Sequence, residues 1–150
     1  MKRELDHLGR QIGDHIRRQY PFPNSTSAAI ALVNFIPRGN YLVYEEFQGH
    51  CMDTFLKAYI CSILEKQPNM ALREMVPQIQ ARSLTDFFIE LDAGEFPLAF
   101  SDCNDLEQMI RLAINEFENA LEEVAFARED AKMILVFILS RTERGILVQQ

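Results

Sequence analysis

His50, Cys51 and Asp53 are the residues whose types and spacing come nearest to chemistry. A thiol at the start of a helix feels backbone N–H groups that stabilise its thiolate, and a neighbouring imidazole is a base for its proton. Adjacent residues rarely present both groups productively, however, and a free cysteine is more often a small core hydrophobe. Glu90 and Asp92 are the carboxylates that would complete a dispersed enzyme site with this trio. Asp86 and Glu90, alternating along one stretch, have the types needed for acid/base work or for Mg²⁺. No lysine lies close by, and a solvated sheet face explains the same residues. His7 and His15 are separated by about 12 Å of helical rise, too far to share one metal ion.

The recognisable motifs are missing. The sequence contains no Cys-x-x-Cys, no His-Glu-x-x-His and no Gly-x-Ser-x-Gly, and its 6 glycines are isolated rather than gathered into a phosphate-cradling loop. No metal and no cofactor is implied. The 3 cysteines, Cys51, Cys61 and Cys103, form no framework and read as reduced thiols.

The remaining candidate surface is acidic. Glu116, Glu118, Glu122, Glu123, Glu129 and Asp130 fall in one short window, with only Arg128 to offset them. They belong to a helical stretch near residues 103–128. Leu106, Ile110, Ala113, Phe117, Leu121 and Val124 form its apolar stripe, and Asp102, Asn104 and Asp105 stand where a helix start favours oxygen acceptors and negative charge. Like charges at helical spacing repel by a few tenths of a kcal/mol, a cost that a cationic partner offsets. The plain alternative is a solvated outer face.

The elements that must position these residues are read from periodicity. Leu5, Leu8, Ile12 and Ile16 share a stripe in an N-terminal amphipathic helix over residues 2–20, stopped by Pro21 and Pro23. Residues 28–36 and 41–47, separated by Pro-Arg-Gly-Asn, read as a β-hairpin, with a helix over 25–35 as the rival. A helix over 52–66 and a shorter one over 70–76 follow, with Pro77 ending the latter or opening one more turn. Residues 84–91 alternate and suggest a second hairpin, turning at 92–95 and returning over 96–100; Ser83 with Asp86 has capping-box-like spacing, which makes helix the rival. Residues 133–140 and 146–148 read as a third, shorter hairpin. The expected fold is therefore α+β: one domain over residues 1–150, an antiparallel sheet built from about three hairpins, with helices on one side.

The totals agree with one globular domain. Of the 150 residues 48% are apolar and 25% charged, with 11 Phe and 4 Tyr as core material. No apolar run approaches the ~20 residues of a membrane span. The charged start lacks a signal-peptide core, and the expected location is cytoplasmic. Net charge is −7, divided as +1 over residues 1–50 and −8 over the rest. Repulsion from polyanions argues against nucleic acid or an anionic membrane as direct partner.

These features point to a non-enzymatic, acidic protein-binding protein whose partner is basic. Immunity proteins and phage-type inhibitors of nucleic-acid-acting proteins are physically of that kind. A type III-like secretion chaperone is an alternative of similar size and acidity, and a small enzyme around His50, Cys51 and Asp53 is another. A homodimer through the apolar side of the first helix is a further expectation.

Overall fold

Residues 28–35 of the first expected strand are helical, and the architecture follows from that. In this computed structural model the backbone is described for residues 2–35 and 45–126, and the side chains for residues 9–35 and 51–124. The elements are α1 (Lys2–Gln19), α2 (Ser25–Phe35), α3 (Glu45–Leu64), α4 (Met70–Arg73), α5 (Val76–Gln80), α6 (Leu84–Asp92) and α7 (Phe100–Phe126), and no strand occurs among the described residues. Among the described residues the expected α+β class, with its antiparallel sheet, is replaced by an all-helical one. The expected third hairpin, over 133–148, lies outside the described residues.

Local chemistry explains both reversals. Asn24 caps α2: its Oδ1 accepts from the Ser27 N–H at 2.8 Å, while the Ser27 hydroxyl donates back to the Asn24 carbonyl at 2.9 Å. Ala28, Ala29, Ala31, Leu32 and Val33 are all buried. A helix covered on several sides has no polar face for periodicity to reveal, and its three alanines favour the helix that the branched residues alone would not. The continuous apolar run therefore marks depth in the core rather than a central strand. The supposed partner strand at 41–47 contributes its last three residues to the start of α3, and residues 41–44 lie outside the described set.

In α6 the Ser83 hydroxyl accepts from the Asp86 N–H at 3.1 Å, so the capping signal prevails over the alternation. Leu84, Phe87 and Leu91, at helical steps, are buried. Ile89, which strand alternation would group with Phe87 and Leu91, is 61% exposed. The turn expected at 92–95 is a helix terminator. Gly94 has φ +71°, the Glu95 N–H donates to the Glu90 carbonyl at 3.1 Å, and the Gly94 N–H donates to the Leu91 carbonyl at 3.1 Å. That is the paired hydrogen bonding of a Schellman cap, with glycine in its left-handed position.

The remaining ends follow similar rules. Pro21 lies just beyond α1. Pro77 stands in the first turn of α5, where its missing N–H costs nothing. Asn69 caps α4 by accepting from the Ala71 N–H at 2.9 Å, and its amide donates to Asp102 of α7 at 2.9 Å, tying two helix starts together.

One buried cluster takes side chains from every helix. α2 packs most extensively on α7 and also meets α3 and α1, while α5 joins α3 to α6. Phe55, Phe87 and Phe117 are fully buried, and Tyr59 stacks on Phe117 with ring centres 6.2 Å apart. Among the described residues no helix is long and apolar enough to cross a membrane.

Candidate functional site

Position on α7 divides the acidic residues into two groups. At roughly 100° per residue, Glu116 and Glu118 project about 160° apart around the helix. Asp105, Gln108, Leu112, Glu116, Asn119 and Glu123 recur at steps of three and four, and every one is exposed. Leu112 is 60% exposed within this outward stripe. Glu122, also exposed, and Glu118, half-buried and engaged in contacts, lie on the other flank. Glu129 and Asp130 lie outside the described residues. The window of carboxylates thus resolves into a stripe pairing Glu116 and Glu123 with Leu112, and a second row containing Glu118 and Glu122.

The buried side of α7 fixes this arrangement. Leu106, Ile110, Ala113, Phe117, Ala120 and Leu121 are all buried. Burying that side against α2 and α3 leaves the helix no freedom to roll, so the stripe is presented rigidly. Glu116 also reaches the core's edge electrically. Burial raises the Tyr59 phenol, the Glu116 carboxylate raises it further, and a hydrogen bond with Ser25 opposes them. Glu107, in contrast, is matched by Arg111 at 2.9 Å, and the Arg111 guanidinium lies over Phe88 at 5.4 Å. That part of the helix is committed to holding α6.

Of the His50, Cys51 and Asp53 trio, Cys51 is placed very differently from a nucleophile. The Cys51 side chain is only 2% exposed, and burial pushes its thiol far up, disfavouring the thiolate that attack requires. α3 begins at Glu45, six residues before Cys51, so the thiol is well inside the helix and away from its free N–H groups. Asp53 is half-buried and engaged; the side chain of His50 lies outside the described set. Glu90 is held by Arg82 at 2.6 Å, and that guanidinium also lies over Phe96 at 5.3 Å. Asp86 and Asp92 are exposed on α6. Among the described residues no group of three or more His, Cys, Asp and Glu is placed to hold a metal ion. His15 serves the packing instead, because its Nε2 is 3.1 Å from the Ala31 carbonyl, linking α1 to α2, and its ring meets Phe35 and Phe55.

A second feature carried no signal in the sequence. α1, α3 and α5 enclose a cleft of about 350 Å³ whose walls include Ile16, Ala58 and Cys61, with Arg17, Lys57 and Tyr20 among its polar residues. The Tyr20 hydroxyl donates to Glu65 at 2.5 Å; burial and that carboxylate push the phenol far above its ordinary value. Burial pushes the Cys61 thiol up to about 12. The cleft gathers residues from positions 13 to 80, which linear spacing cannot reveal.

No protein-family model, no curated protein and no solved structure matches the chain. Its class therefore rests on the helical fold and the geometry of its surfaces.

Proposed function

We propose that the protein is a binding protein that docks a basic protein partner on the outward stripe of α7. The observation that carries this reading is the placement of an exposed leucine, Leu112, in one stripe with the exposed Glu116 and Glu123. An apolar contact with charge at its edge is the usual layout of a protein interface. Burying Leu112 contributes about 1.5–3 kcal/mol if burial is complete. Each exposed carboxylate–cation contact adds roughly 0.2–1 kcal/mol. The charges thus set encounter rate and partner choice more than affinity.

A net charge of −7 supports the same reading, because it attracts cationic surfaces at long range. Proteins that act on nucleic acid carry such surfaces, and an inhibitor of one of them would present carboxylates where phosphates otherwise sit. The test is capture from the producing cell at low and at high salt. Specific capture by the native protein should be lost at high salt and lost in Glu116→Lys/Glu123→Lys. It should persist in Glu74→Lys/Glu95→Lys, which alters exposed charge on residues outside the α7 stripe. Equal capture by both double variants removes the α7 stripe as the docking surface.

A further inference from the structure

The cleft between α1, α3 and α5 carries a second site. Its walls are largely carbon and sulfur: Ile16 from α1, with Ala58 and Cys61 from α3. Two cations stand among them, Arg17 from α1 and Lys57 from α3. Gly13 keeps the α1 wall low, and the Arg17 guanidinium lies against it, with Nη1 3.6 Å from where a β-carbon would stand. Arg17 is further held by an ion pair with Asp14, one turn back. Lys57 is fixed by donation to the Gln80 carbonyl at 3.5 Å and the Arg82 carbonyl at 3.0 Å. An ammonium has three donors, so a ligand oxygen has one left to meet.

We propose that this cleft binds a small amphipathic carboxylate, an alkyl chain against Ile16, Ala58 and Cys61 with its head group between Arg17 and Lys57. The volume, about 350 Å³, lies at the small end of ligand sites, which run from roughly 300 to 1,000 Å³. A bare anion would leave the apolar walls wet, and a neutral alkane would leave the third Lys57 donor unmet. A cationic amphiphile would meet two like charges. Only an anionic head on an apolar body answers both surfaces. The site is independent of the α7 stripe, so either can fail without the other.

The probe is sodium octanoate, titrated into the full chain and followed by methyl and backbone NMR. Saturable shifts should cluster at Ile16, Thr54 and Ala58. Octanol and octylamine should bind at least about tenfold more weakly, the equivalent of about 1.4 kcal/mol. Arg17→Met and Lys57→Met should each weaken octanoate about fivefold or more, and Ala58→Phe, which fills the cleft, should abolish its binding. Octanol binding as tightly as octanoate, or octanoate binding unchanged in folded Ala58→Phe, overturns the proposal. Should Ala58→Phe fail to fold, spin-labelled octanoate on the native chain decides: it should broaden the Ile16 and Ala58 methyls and spare Leu112. Broadening at Leu112 instead overturns the proposal.

Discussion

The ammonium of Lys57 on α3 donates to the carbonyl oxygen of Arg82 at 3.0 Å, just past the end of α5. A cation there faces the negative end of the α5 peptide dipoles, and a longer bond at 3.5 Å reaches the Gln80 carbonyl, which the helix leaves unpaired. Charged hydrogen bonds contribute about 1.5–3 kcal/mol where shielded; Lys57 is half-buried, so solvent reduces this. Lys57→Met should destabilise the protein by about 1 kcal/mol. Urea denaturation followed by circular dichroism measures it, and an unchanged midpoint would show that this bond contributes no net stability.

Gly94 ends α6 in the left-handed region at φ +71°, where no atom lies within 4 Å of a β-carbon. The site is open, so substitution there meets only backbone strain. Gly94→Ala should cost about 1–2 kcal/mol, and Gly94→Asn less, because asparagine tolerates this conformation better. Equal stability of all three proteins in thermal melts would show that the cap is not formed as described.

How far the fold was legible follows from these same residues. The stripes of α1 and α7 announced their helices because each has a wet face opposite a dry one, and Pro21 marked the end of α1. α2 hid itself by being apolar nearly all round, which erases the difference between helix and strand periods. At α6 two signals competed. Phe87, Ile89 and Leu91 suggested alternation, whereas Ser83 with Asp86 and the terminating Gly94 specified a helix, and the hydrogen bonds followed the caps. The acidic window was legible as composition, but its division into two rows depends on which side of α7 the core claims. The cleft was invisible because Arg17, Lys57 and Ala58 meet only through packing.

Ser62 is the buried polar residue in the contact between α3 and the segment after α1, at 1% exposure. Its hydroxyl accepts from the Phe22 N–H at 3.0 Å and donates to the Ala58 carbonyl at 2.8 Å. Ser62→Ala leaves the buried Phe22 N–H without its partner, at a cost of about 1–3 kcal/mol. Chemical denaturation checks this, and hydrogen exchange at Phe22 should accelerate beyond the change in global stability. Unaltered exchange at that amide would contradict the assignment.

The thiols make stability fall at high pH. Burial raises the Cys61 thiol from 9.0 to about 12 and pushes Cys51 up as well. A group whose folded pKa is raised stabilises fully below the unfolded value and loses that contribution as pH climbs towards the folded one. Between pH about 8 and 9 the unfolded thiols begin to ionise while unfolded tyrosines stay largely protonated. Stability should drop there by at most about 1.4 kcal/mol per pH unit for each thiol. Cys51→Ala/Cys61→Ala should show a shallower slope even if it is less stable overall. At neutral pH iodoacetamide should modify the half-buried Cys103 before the buried pair; Cys51 reacting first would revive a nucleophilic role.

The docking surface is tested most directly by a photo-cross-linking amino acid placed at Leu112 in the producing cell. Docking on the α7 stripe predicts a discrete protein adduct that disappears when Glu116→Lys/Glu123→Lys is added and persists with Glu74→Lys/Glu95→Lys. No discrete adduct at Leu112, or an adduct indifferent to the charges of Glu116 and Glu123, would contradict it.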